Sequence, residues 1–134
     1  MRKYKLKEID KFFAALAEEN RLRILMILRS RPMAVCEIRE ILGLSFSTVS
    51  KHLSVLKEAG LIIFERKGKW INYRLNKKLP GLVMDVLSEI YEMTSSDEQI
   101  QADQKKAMTV DKFKICQKTA TKYTNLLNHR RNKS

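Results

Sequence analysis

Apolar positions recur in two different rhythms along this chain, and each change of rhythm marks a new element. Ile9, Phe12, Phe13, Leu16 and Ala17 keep the i, i+3, i+4, i+7, i+8 spacing of an amphipathic helix. Glu18 and Glu19 close it, and Asn20 is an expected N-cap for a second helix. From Arg21 to Arg29 the apolar residues lie nearly all round, which predicts a central helix. Ser30-Arg31-Pro32 stops it, because proline cannot continue the hydrogen-bond ladder. A short third helix over about 34–42 buries Val35, Ile38, Ile41 and Leu42, and Gly43-Leu44-Ser45 then makes a tight connection. Ser45 is the expected N-cap of a fourth helix with Val49, Leu53 and Leu56 as its apolar stripe, and Gly60 suits the left-handed residue just past its end.

After Gly60 the period falls to two. Leu61-Ile62-Ile63-Phe64-Glu65-Arg66 is β-branched and aromatic, and Trp70-Ile71-Asn72-Tyr73-Arg74-Leu75 alternates in character. Lys67-Gly68-Lys69 between them predicts a β-hairpin. A helical stripe returns with Leu79, Leu82, Val83, Val86, Leu87 and Ile90, and breaks near Thr94-Ser95-Ser96. Residues 1–95 thus form one domain, and 96–134 a more polar, basic helical extension. Within that extension 98–108 reads as a weak helix, and Phe113, Cys116, Ala120, Tyr123 and Leu127 make a narrow seam suited to a partner helix. The first helix and the Leu79–Ile90 stripe together could form a dimer surface or fold back on their own core; dimerisation is the expectation favoured.

Two helices joined by a short glycine-bearing turn are the helix-turn-helix arrangement, and a basic hairpin directly after it is a wing. The fold class expected is therefore mainly α with a small β-hairpin: a dimeric winged helix-turn-helix with a helical C-terminal extension. Off the stripe of the fourth helix stand Ser47, Thr48, Ser50, Lys51 and Ser54. Short hydroxyls let a helix lie close in a groove, and lysine meets a phosphate or a guanine edge. A plain solvated helix is the other reading, but serine is a mediocre helix former and a serine-rich outer face is disfavoured without a further reason.

Charge points the same way. The 134 residues carry 27 Lys and Arg against 15 Asp and Glu, a net +12 that favours a polyanionic partner. No run of about eighteen apolar residues suggests a membrane span, and no apolar signal core follows the basic N-terminus, so a cytoplasmic protein is expected. No Ser/His/Asp set, paired carboxylates or phosphate-cradling glycine loop argues for an enzyme; there are four glycines in all. Two cysteines, Cys36 and Cys116, make neither a disulfide framework nor a zinc motif of the CxxC kind.

Several stretches together resemble the ArsR/SmtB-type winged-helix repressors: Ala14-Ala15-Leu16-Ala17-Glu18-Glu19-Asn20-Arg21-Leu22-Arg23-Ile24-Leu25, Leu44 to Leu53, Ala59-Gly60-Leu61-Ile62, and Gly68 to Leu75. The resemblance covers about residues 9–93. It implies a cytoplasmic homodimer that binds a palindromic operator in double-stranded DNA and is released by a small effector. By position, Ser45, Ser47, Thr48, Ser50, Lys51 and His52 would face DNA, with Arg66, Lys69 and Trp70 at or near the wing; Ser54 on the same helix face and Lys67 at the hairpin tip complete the candidate DNA-binding set, and His52, at the edge of the helix, would contact DNA or cap local polarity. Zinc-responsive members place Asp and His pairs on the last dimer helix, but this chain has Asp85, Glu89 and Glu92 there and no histidine. Arsenic-responsive members often carry Cys-Val-Cys at the start of the bracing helix, where this chain reads Ala34-Val35-Cys36.

Thiophilic ions such as trivalent arsenic need thiolates. Cys36 lies roughly 160° round from the centre of the bracing helix's stripe, at about 100° per residue, and is expected to point away from the core. The extension could carry Cys116 to it, in the same or the opposite subunit, giving a site for a thiophilic metal(loid) or an oxidant. The alternative is a small buried hydrophobe at Cys116 and an incidental Cys36. A module that binds RNA or a protein partner, with no effector, is the competing function.

Overall fold

The computed structural model describes residues 2–110 and Ile115. Four helices come first: α1 (Leu6–Leu16), α2 (Glu19–Leu28), then, after the short strand β1 (Met33–Ala34), α3 (Val35–Leu42) and α4 (Phe46–Glu58). A hairpin of β2 (Ile62–Lys67) and β3 (Trp70–Leu75) follows, and α5 (Gly81–Met93) and α6 (Glu98–Thr109) complete the described chain. It is a helical fold with one small antiparallel sheet, the winged helix-turn-helix that the alternating rhythms predict. No helix among the described residues is long and apolar enough to cross a membrane.

The α2 sequence is apolar all round because it is central: Ile24, Leu25, Met26, Ile27 and Leu28 are all buried. Val49, Leu53 and Leu56 root α4 on that core, with Ile38, Ile41 and Leu42 of α3 beside them. Gly43 ends α3 at φ 70° and Gly60 follows α4 at φ 78°, left-handed values that favour glycine. The N-cap of α2 is Glu18, not Asn20: the Glu18 carboxylate accepts from the Arg21 amide at 2.8 Å. Asn20 instead accepts from Arg23 at 3.0 Å through its side-chain oxygen.

The two-residue strand β1 was not expected from the sequence. It pairs with β3, Met33 opposite Tyr73 and Ala34 opposite Asn72, so the sheet order is β1-β3-β2. Its cause is the break at Pro32, which leaves an extended segment beside the hairpin with no helical partner for its backbone. The strand also changes the environment of Cys36. The cysteine was expected to face outward, yet it is 6% exposed. Helical rotation alone misplaces it because α3 begins directly off β1, so its first turn is covered by the sheet: Trp70 of β3 packs against Ala34 and Cys36.

Past the boundary expected at residue 95, Ile100 and Ala107 of α6 belong to the same apolar core as residues of α1–α5. Asp97 caps α6 by accepting from the Ile100 amide at 3.0 Å. Between the two apolar anchors Asp103 is buried and meets Arg23 of α2 in a two-pronged pair, Nε to Oδ2 at 2.9 Å and Nη2 to Oδ1 at 2.9 Å. The same Nη2 donates to the Leu42 carbonyl at 3.3 Å, at the end of α3. Hydrogen bonding to Asp103 raises the Arg23 pKa against the opposing effect of burial. One guanidinium thus joins α2, α6 and the turn of the helix-turn-helix. The seam expected at Phe113, Cys116, Ala120, Tyr123 and Leu127 lies outside the described residues.

Candidate nucleic-acid interface

The outer side of α4 is built from its inner side. Once Val49, Leu53 and Leu56 are fixed in the core, helical geometry turns Ser47, Lys51 and Ser54 outward at i, i+4 and i+7, and all three are exposed. Ser45 is exposed as well, but its hydroxyl is engaged locally. Its Oγ accepts from the Thr48 amide at 3.2 Å and donates to Thr48 Oγ1 at 2.8 Å, with Ser47 Oγ 3.3 Å away. That network fixes the first turn of α4, the part of a recognition helix that meets base edges. Thr48 and Ser50 are half-buried at the margins of the outer row.

His52 departs from the outward orientation expected of it. Its side chain is 15% exposed and turned back toward α2, with Nδ1 3.8 Å from the Glu18 carboxylate and 3.5 Å from Arg21 Nη1. Arg21 in turn donates to the Ala15 carbonyl at 2.8 Å and the Ala14 carbonyl at 3.2 Å. His52 therefore joins α4 to the α1–α2 corner. The Glu18 carboxylate and the carbonyls at the end of α1 gather these groups, a tertiary effect that helix spacing does not encode.

On the wing, Arg66, Lys67 and Lys69 are exposed around the hairpin tip, where Lys67 pairs with Trp70 across the strands. Below them Arg74 Nε donates to Glu65 at 2.6 Å, and this hydrogen bond, with the arginine charge, holds the Glu65 carboxyl below its usual range. Trp70 lies beside the wing tip, as expected, and also reaches inward. Its indole is half-buried against Ala34 and Cys36, and the Lys69 ammonium lies 5.0 Å from its ring centre.

Two exposed groups went unnoticed in the sequence. Val55 lies on the outer side of α4 one turn beyond Lys51, and Lys57 sits 4.5 Å from the ring centre of Phe64 on β2. The i+4 step from Lys51 would have pointed to Val55; the Lys57–Phe64 contact needs the packing of α4 on the sheet. Glu37 and Asp103, the two buried carboxylates among the described residues, were also missed. Asp103 shares the 100, 103, 107 face with Ile100 and Ala107, a signal available in the spacing.

Cys36 is disulfide-bonded in this structure; Cys116, the second of the chain's two cysteines, lies outside the described residues. Among the described residues no group of three or more His, Cys, Asp or Glu side chains is arranged to hold a metal ion. Ala34, which stands where a first cysteine of a Cys-Val-Cys pair would be, is buried in β1 and paired with Asn72.

A bracing helix, a glycine turn, a helix with an outward row of hydroxyls and a cation, and a basic hairpin define the class: a winged helix-turn-helix regulator. Residues 18–63 match the profile of the bacterial regulatory proteins of the arsR family. The chain is 39% identical over 79 residues to the arsenic resistance transcriptional regulator ArsR1 of Pseudomonas putida, which covers 58% of this chain and 62% of that protein. It is 33% identical over 91 residues to the arsenical resistance operon repressor of Escherichia coli, covering 67% and 76%. Among solved structures it is similar to the homodimeric winged helix-turn-helix DNA-binding domain Mb0332 of Mycobacterium bovis, with a TM-score of 0.58 at 27% identity over 68% of this chain and 82% of that one. The chain belongs to the arsR family of bacterial regulatory proteins.

Proposed function

We propose that this protein is a transcriptional repressor that binds a palindromic operator as a homodimer and leaves it when Cys36 and Cys116 are oxidised. The observation that carries the DNA-binding part is the exposed row Ser47, Lys51 and Ser54, held by a fully buried stripe on the opposite side of the same helix. Ser47 and Ser54 offer hydroxyls to base edges or phosphates, Lys51 a cation, and Arg66, Lys67 and Lys69 neutralise the flanking backbone. A dimer is supported by large apolar side chains left exposed on α1 and α5, among them Leu6, Phe13, Leu82 and Met93. Two-fold symmetry would set the two α4 helices about one DNA turn apart, about 34 Å.

The oxidant is favoured over an ion because Cys36 is buried and disulfide-bonded, while position 34, two residues before it, is alanine and supplies no second thiolate. In the reaction two thiols lose two protons and two electrons to a two-electron oxidant such as a peroxide, which becomes two waters. Arsenite remains the second effector to try, since relatives at 33–39% identity are named for arsenic resistance.

Retardation of a palindromic duplex against excess non-specific DNA tests the reading. The reduced protein is expected to bind and a peroxide to release it, with dithiothreitol restoring binding and Cys36→Ser binding in both conditions. A Cys36→Ser protein that peroxide still releases would refute the thiol part. Equal affinity for operator and competitor DNA would refute the sequence-specific part.

A further inference from the structure

We propose that Trp70 carries the state of the Cys36 sulfur into the wing, and so acts as the positioning residue through which the effector reaches the DNA contacts. This rests on the redox reading above. Three observations place the residues in series. Cys36 and Ala34 form a small buried cluster separate from the main core, and the partner packed on that cluster is the Trp70 indole. Ala34 is bonded into the sheet opposite Asn72, two positions along β3 from Trp70, so the strand that bears the indole is tied to the segment that bears the cysteine. The Lys69 ammonium lies 5.0 Å from the ring centre of the same indole, within the range in which a cation is held over an aromatic face.

The arrangement is tied down on one side and open to solvent on the other. Residues 34–37 are fixed by the Ala34 amide donating to the Glu37 carboxylate at 3.0 Å and by the Arg31–Glu37 pair at 2.8 Å, with Glu37 buried. The wing tip at Lys67 and Lys69 is exposed. A change in bonding at the Cys36 sulfur alters the volume and direction of the group against the indole, and close-packed interiors pass such changes on instead of absorbing them. The yielding side is the hairpin, and its tip carries the cations that meet the phosphate backbone.

The sequence supplies a direct reporter, because Trp70 is the one tryptophan in the chain. Emission of the full-length protein is read before and after dithiothreitol, which reduces the disulfide to two thiols and itself becomes a cyclic disulfide; freed thiols are counted in parallel. Disulfides quench a neighbouring indole, so emission should rise on reduction, and Cys36→Ser should lack the change. Operator affinity is then measured reduced and oxidised for each variant, and the ratio of the two is taken within that variant so that any loss of basal affinity cancels. In Trp70→Leu the ratio should fall toward one, and in Trp70→Phe, which keeps an aromatic face, it should be largely restored. Lys69→Met, which leaves the indole packing in place, should also lower the ratio and serves if Trp70→Leu does not fold.

Emission that stays constant while thiols appear would overturn the contact. A Trp70→Leu ratio equal to wild type would overturn the relay alone and leave redox release standing. A wild-type affinity indifferent to reduction would overturn both.

Discussion

Charge does different work in two regions of this domain. On α4 and the wing Lys51, Arg66, Lys67 and Lys69 stand in solvent, and the wing's ion pair, Glu65 with Arg74, leaves the Glu65 side chain 44% exposed. Between α2 and α6 Arg23 and Asp103 meet with side chains 11% and 2% exposed, in the same guanidinium–carboxylate chemistry. Water screens the first set, so those charges add little to stability and stay available to a polyanion. The second set is out of water, and removing either partner strands the other. The exposed charges are open to a polyanion, as the proposed function requires, and the buried pair joins α6 to the helix-turn-helix.

The largest effect should come from breaking the buried pair. Asp103→Ala leaves the Arg23 guanidinium buried beside the Leu42 carbonyl without its carboxylate, and should cost about 3–5 kcal/mol in a urea melt. If its stability equals that of wild type, the contrast between the two regions fails. Next, Lys51→Ala should lose about 1–3 kcal/mol of operator affinity with an almost unchanged melt, read by titration of a labelled duplex. A matching loss of stability would mean that Lys51 belongs to the fold and not to the interface. Lys69→Ala should weaken binding to all sequences alike and lower the salt slope by about one, measured over a salt series.

The smallest effect is expected at Glu65. Its carboxyl pKa is lowered in the folded state, so whatever it contributes is present above the unfolded value and disappears as pH falls through the folded one. Glu65→Gln should therefore melt like wild type at acid pH and differ from it only slightly at neutral pH. A large neutral-pH difference would show that the wing pair is structural.

Much of this was legible before any coordinates. The stripe Val49, Leu53, Leu56 placed α4 and, by exclusion, its outer row; the switch to period two after Gly60 gave the hairpin. Those features are local, since a side chain's direction follows from the backbone period once the element is known. The wing's cations and the Ser45 cap were readable for the same reason.

Other features were legible only in part. The α6 helix was seen as weak because its apolar side is short, and Asp103 was passed over although it shares a face with Ile100 and Ala107. Nothing in the spacing says that Arg23, 80 positions earlier, will be its partner.

The sequence by itself determined the order of the longer elements, the family, and which helix presents hydroxyls and a cation outward, because periodicity and caps act within a few residues; the two-residue β1 it did not show. Tertiary structure decided that Cys36 is covered, that Trp70 turns inward, that His52 faces Glu18, and that α6 is part of the core. Each of those depends on a partner distant in sequence: β3 against the start of α3, α4 against the α1–α2 corner, α6 against α2. Packing selects such partners by fit and by the cost of leaving a polar group without one, and neither quantity can be read from one segment alone.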